Sequence, residues 1–144
     1  MKRKCLALSL VISLLMAFAT PAWADNGTPL EGLRDIEVAL YGQAKSGALI
    51  ERLAALENEV FGEEKSGPIL VRIDHLHTYL MLSGGATDSL QLKLNAVEWM
   101  IYQEINSADV LYSRLQRLER DMYGEVQSGS ALTRADNLLH MVWA

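Results

Sequence analysis

The sequence predicts an all-α protein, six amphipathic helices arranged as two duplicated three-helix antiparallel units that follow a cleaved signal peptide. Two observations carry this expectation. Apolar residues recur at spacings of three and four, as in Leu49, Leu53, Leu56 and Val60, which lines one face of a helix. Between such stretches a turn signal recurs: LENEVFGEEKSG around Phe61, IEVALYGQAKSG around Tyr41, LERDMYGEVQSG around Tyr123 and a more divergent VEWMIYQEINSA around Tyr102. Each copy is followed within a few residues by an arginine and an apolar residue.

The first residues lie outside this pattern. Lys2, Arg3 and Lys4 form a positive region, Cys5 to Ala19 an apolar one, and Ala22-Trp23-Ala24 a small-residue cleavage site. Residues 1–24 therefore read as a signal peptide cut after Ala24, and the protein as exported, periplasmic or secreted. A membrane anchor fits less well, because the apolar run is short for a span and Pro21 follows it. Cys5 lies at the start of the run, not after it, and so is not placed as a lipid-anchor cysteine.

Removing residues 1–24 takes three basic residues and no acidic ones, leaving ten Lys and Arg against 18 Asp and Glu. A net charge near −8 would be repelled by nucleic acid and by anionic lipid headgroups, so neither is an expected partner. The mature chain holds no cysteine and no transmembrane segment. Its fold must rest on apolar burial without disulfides.

Residues 25–82 are expected to form the first three-helix unit. Thr28-Pro29-Leu30-Glu31 has the pattern of a capping box, opening a helix to about Tyr41 with Leu33, Ile36 and Leu40 inward. A second helix is predicted from about Gly47 to Phe61, and a third from about Gly67 to Leu82 with Ile69, Ile73, Leu76 and Leu80 inward. Gly42, Gly62 and Gly124 suit left-handed helix ends. Ser46, Ser66, Ser107 and Ser128 suit caps of the helices that follow, with Pro68 in a first helical turn.

Residues 83–88, with a glycine pair in a polar run, read as a linker, and residues 89–144 as the second unit. Thr87 or Asp88 is placed to cap a fourth helix carrying Leu90, Leu94, Val97 and Ile101. A fifth carries Leu111, Leu115, Leu118 and Met122, and a sixth carries Leu132, Ala135, Leu138, Leu139 and Val142. In the third turn Gln103 replaces the glycine, so Asn106 becomes the candidate left-handed cap and the fourth helix is expected to run a turn longer. Aligning Phe61 with Tyr123 brings Leu56–Thr78 onto Leu118–His140, which implies an internal duplication.

The recurring charges follow from the hairpin geometry. Glu37 with Arg52, Glu57 with Arg72, Glu98 with Arg114 and Glu119 with Arg134 can come level across neighbouring antiparallel helices, as structural ion pairs worth ~0.3 to 1 kcal/mol at an exposed edge. The rival reading is a row of arginines for an anionic partner. Tyr41, Phe61, Tyr102 and Tyr123 precede the turns and suit aromatic plugs over the hairpin ends.

Chemistry has one candidate. Asp74 and His77 share a face of the third helix, Asp136 and His140 share a face of the sixth, and convergence of the two faces would gather four metal ligands. Against it, the chain has no H-E-x-x-H and no cysteine pair, and His75 and His77 align with Asn137 and Leu139. The turn serines have no G-x-S-x-G setting, and the turn glycines lack the strand and lysine of a phosphate loop. No catalytic residue and no cofactor is expected.

The L-E-x-x-[apolar]-[FY]-G turn, followed by S-G and an arginine-leucine helix start, resembles short helical repeats of exported bacterial proteins with no assigned activity. The resemblance spans roughly Ile36 to Met141 and implies an exported helical module, with no site residues to transfer. The function expected is noncatalytic binding or scaffolding in the cell envelope, with a protein as partner. The alternative is a metal-binding protein or metal-dependent enzyme using Asp74, His77, Asp136 and His140.

Overall fold

The computed structural model describes residues 28–81 and 88–144. Among them every regular element is an α-helix: α1 (Pro29–Tyr41), α2 (Leu49–Phe61), α3 (Ile69–Leu80), α4 (Leu90–Tyr102), α5 (Leu111–Tyr123) and α6 (Ala131–Trp143). Residues 1–24, read above as a signal peptide, and the glycine-rich part of the expected linker lie outside the described residues. No described helix is long and apolar enough to cross a membrane.

Local sequence accounts for most helix ends. Thr28 Oγ1 accepts from the Glu31 amide at 3.4 Å and the Glu31 carboxylate accepts from the Thr28 amide at 2.8 Å, which completes a reciprocal cap on α1. Gly42, Gly62 and Gly124 close α1, α2 and α5 in the left-handed region, at φ of 82°, 84° and 83°. There a side chain would meet the following carbonyl.

Three boundary expectations need correction. The helices α2, α3 and α5 start two or more residues after the turn serines, with Ala48, Pro68 and Val110 at their N-caps and no side-chain cap. Ser46, Ser66 and Ser107 thus sit in the connection, and Ser128 yields to Ser130, whose Oγ accepts from the Thr133 amide at 3.3 Å. Ser89, rather than Thr87 or Asp88, caps α4 through an Oγ bond from the Leu92 amide. Finally, α4 is no longer than its counterparts, because Gln103 itself takes the left-handed cap at φ 57°. The Gln103 side chain supports this by donating from Nε2 to the Trp99 carbonyl at 2.8 Å. Asn106 instead builds a polar turn, its Oδ1 accepting from the amides of Ala108 and Asp109.

Within each run of three helices the first and third touch, α1 on α3 and α4 on α6, with the middle helix against both. The two runs also pack on each other: α1 lies against α5, α2 against α6, and α3 against α4. A single apolar core results, from Leu33, Ile36 and Leu40 through Leu53, Leu56 and Val60 to Leu115, Leu118 and Leu138. It contains the inward residues expected from periodicity, with one clear exception. Ile101, expected inside, is 37 % exposed. It falls on the inward stripe of α4, but at the helix end that stripe is covered only in part.

Candidate functional site

The four helix-to-helix turns share one polar arrangement. In the first, Arg52 donates from Nε to Glu37 Oε1 at 2.9 Å and from Nη2 to Oε2 at 2.7 Å, while the Lys45 amide donates to Oε2 at 2.8 Å. In the second, Arg72 makes the same fork on Glu57 at 2.9 and 2.6 Å, and the Lys65 amide completes it at 3.1 Å. Arg134 and Glu119 repeat it at 2.8 and 2.7 Å, with the Gln127 amide at 3.3 Å. A carboxylate at the end of one helix thus holds both the connecting backbone and the start of the next helix.

The third turn keeps the arrangement despite its extra residue. Arg114 forks onto Glu98 at 3.1 and 2.6 Å and the Asn106 amide donates at 3.0 Å, so the insertion is absorbed between Asn106 and Arg114. Glu98 also receives Arg117 Nη2 at 2.7 Å, and Arg114 Nη2 reaches Asn95 Oδ1 at 2.6 Å.

All four glutamates are wholly buried, and their arginine partners are at most 9 % exposed. These pairs are therefore not the edge contacts expected from sequence, because packing of α1 to α6 around one core encloses them. Among the described residues no buried side-chain polar atom lacks a hydrogen-bond partner. The hydrogen bond to Glu37 raises the Arg52 pKa against the opposing effect of burial, and Glu119 acts likewise on Arg134. Four permanently charged arginines thus have their Nε and Nη2 donors already filled by carboxylates.

The aromatic residues before the turns fall into two groups. Tyr41 packs on Tyr112 of α5 with ring centroids 5.8 Å apart, and Phe61 stacks on His75 at 5.0 Å and meets Tyr79 edge-on at 5.5 Å. Both cover the core. Tyr123 is half-buried against it, whereas Tyr102 is exposed, under Arg117 and hydrogen-bonded to Asp121.

The candidate metal ligands do not converge. Helices α3 and α6 make no contact, so Asp74 and His77 stay apart from Asp136 and His140. Asp136 instead accepts from the buried Lys93 Nζ at 2.6 Å, a link between α4 and α6, and Asp88 takes the same ammonium at 2.7 Å. Burial alone would lower the Lys93 pKa; the bonds to Asp136 and Asp88 outweigh it and raise it. His75 is committed to Phe61 and Tyr79. Among the described residues no group of three or more His, Cys, Asp or Glu side chains is placed to hold a metal.

An open groove between the second turn and α3 is lined by Lys65, Ser66, Arg72, Asp74, His75 and Thr78, together with Val71. Its one buried charge, Arg72, is already shared between Glu57 and Glu64, and Thr78 Oγ1 donates to the Asp74 carbonyl. Sequence reasoning missed Lys93, Asn95 and Arg117, whose partners lie on other helices or in neighbouring turns and leave no local signal. Comparison with protein-family models, with curated proteins and with solved structures gives no match.

Proposed function

We propose that the protein is an exported, noncatalytic binding or scaffolding module of the bacterial cell envelope. The observation that carries this reading is the use of charge: the recurring glutamate-arginine pairs are consumed inside the turns, as buried forks, while several large apolar side chains stand exposed among the polar surface residues. Trp99 and Trp143 are 54 % and 75 % exposed, with Ile101, Tyr102 and Ile105 near the first. Such surface suits a protein partner. Export rests on the pattern of residues 1–24.

The test is fractionation of the native host followed by mass spectrometry of the recovered protein. A chain in the envelope or medium that begins at Asp25 supports the reading, and an uncut cytoplasmic chain refutes it. The metal alternative is tested on protein purified without an affinity tag, where stoichiometric zinc, copper or iron would overturn the noncatalytic assignment.

A further inference from the structure

The two three-helix runs are joined in an asymmetric way. The ends of α1 and α2 receive the starts of α5 and α6, so that Gly42 faces Val110, Tyr41 faces Tyr112 and Gly62 faces Ser130. Arg134 on α6 reaches back to Glu59 on α2 at 3.8 Å. The reciprocal contacts, α4 on α2 and α5 on α3, do not occur. The first run therefore uses its helix ends and the second its helix starts, which is head-to-tail rather than two-fold packing.

Among the described residues, head-to-tail packing leaves each run with one such surface unused, and each unused surface exposes apolar side chains that its counterpart buries further. At the ends of α4 and α5, Ile101 is 37 % exposed where its counterpart Leu40 is fully buried, and Met122 is half-buried where Val60 is fully buried. At the starts of α2 and α3, Ile50 and Leu70 are exposed where Tyr112 and Leu132 are half-buried.

We propose that a second copy of this chain docks here, the α2/α3 starts of one copy seating on the α4/α5 ends of the next in the geometry by which α5 and α6 seat on α1 and α2. The surfaces match in charge and in shape. Asp121 stands where Glu59 stands and Arg72 where Arg134 stands, so the signs of the internal ion pair are kept. The internal contact sets Gly42 against Val110; the external one sets Gln103 against Ala48, a large residue now facing a small one. Because the contact does not close on itself after two copies, association continues in a row or a ring. This inference stands on packing alone and is independent of the proposed envelope role.

The test uses two variants at exposed positions, Ile101→Asp and Ile50→Asp, each spoiling one of the two surfaces. Sedimentation equilibrium of the purified protein should show an average mass rising through the dimer and beyond as concentration increases. Each variant alone should be monomeric, with a circular dichroism melt matching that of the wild type at concentrations low enough for the wild type to be monomeric. An equimolar mixture should double in mass and stop there, since one good surface remains on each partner. A wild-type monomer at every concentration, a mixture that stays monomeric, or a single variant that still associates would each overturn the proposal.

Discussion

Arg72 holds Glu57 by two parallel hydrogen bonds, at 2.9 and 2.6 Å, inside a carboxylate pocket that the Lys65 amide completes at 3.1 Å. The contact spans the connection between α2 and α3 and fixes how far along α3 the chain has travelled when it meets α2 again. Its burial changes the energetics from those of a surface pair. Removing one partner strands a charge in the interior, which typically costs about 3 to 5 kcal/mol, whereas removing both strands none.

Arg72→Ala and Glu57→Ala should therefore each be strongly destabilising, and the double variant should cost clearly less than their sum. Arg72→Lys should not rescue, because an ammonium cannot supply two parallel donors. Urea unfolding at low and high salt checks this. Additive losses would dissolve the pair, and a coupling that vanished in salt would place it at the surface after all.

The left-handed helix ends give a graded series. A Cβ at Gly42 would lie 3.3 Å from Val110 Cγ1, whereas one at Gly124 meets nothing within 4 Å, although both glycines have nearly the same φ. Gly124→Ala should cost about 1 to 2 kcal/mol from backbone strain alone, and Gly42→Ala more. In the other direction, Gln103→Gly should stabilise by up to about 1 kcal/mol, less whatever the Gln103 bond to the Trp99 carbonyl contributes. Thermal melts of the three variants decide it; equal losses at Gly42 and Gly124 would mean that Val110 simply moves aside.

Contacts set by one hairpin could be read from the sequence, and those between distant helices could not. Glu57 and Arg72 are fifteen residues apart across a turn whose residues announce it, so the pairing follows from local geometry. Lys93 meets Asp136 only because α4 lies on α6, and no spacing along the chain encodes that. The same limit explains the metal candidates: Asp74 with His77 and Asp136 with His140 each share a face, but whether two faces meet is decided by the packing of whole helices. The serines of the turns misled for a different reason. Residue preference puts the helix starts at the serines, while the chain spends two further residues carrying a positive-φ glycine, Gly47 or Gly67, before α2 or α3 begins.

Two tyrosines should shape the alkaline limit of stability. Burial first, then the charges of Glu59, Tyr112 and Glu37, push the Tyr41 hydroxyl up to about 12; burial first, then its bond to Asp121, does the same for Tyr102. Between the ordinary tyrosine value of about 10 and these raised values, the unfolded chain ionises and the folded one does not, so the unfolded state binds fewer protons. The stabilisation is complete below about pH 10 and is lost as the pH rises toward 12. Tyr41→Phe should flatten that decline. Tyrosinate absorbance near 295 nm should lose a late-titrating component in Tyr41→Phe and again in Tyr102→Phe; an absorbance lost near pH 10 in either variant of the folded protein would refute it.

Leu40 and Ile101 occupy the same place before their turns, each directly preceding the tyrosine at a helix end, yet one is wholly buried and the other 37 % exposed. Periodicity treats them alike, so any difference in their contribution to stability measures packing and not helix pattern. Leu40→Ala should cost about 2 to 5 kcal/mol, since it empties volume where α1 lies against α5. Ile101→Ala should cost clearly less, about 1 kcal/mol, when both are measured by denaturant unfolding at low protein concentration. Comparable losses would mean that Ile101 is covered in solution within a single chain. A near-neutral Leu40→Ala would mean that α1 does not rest on α5, and the head-to-tail contact between the two runs would go with it.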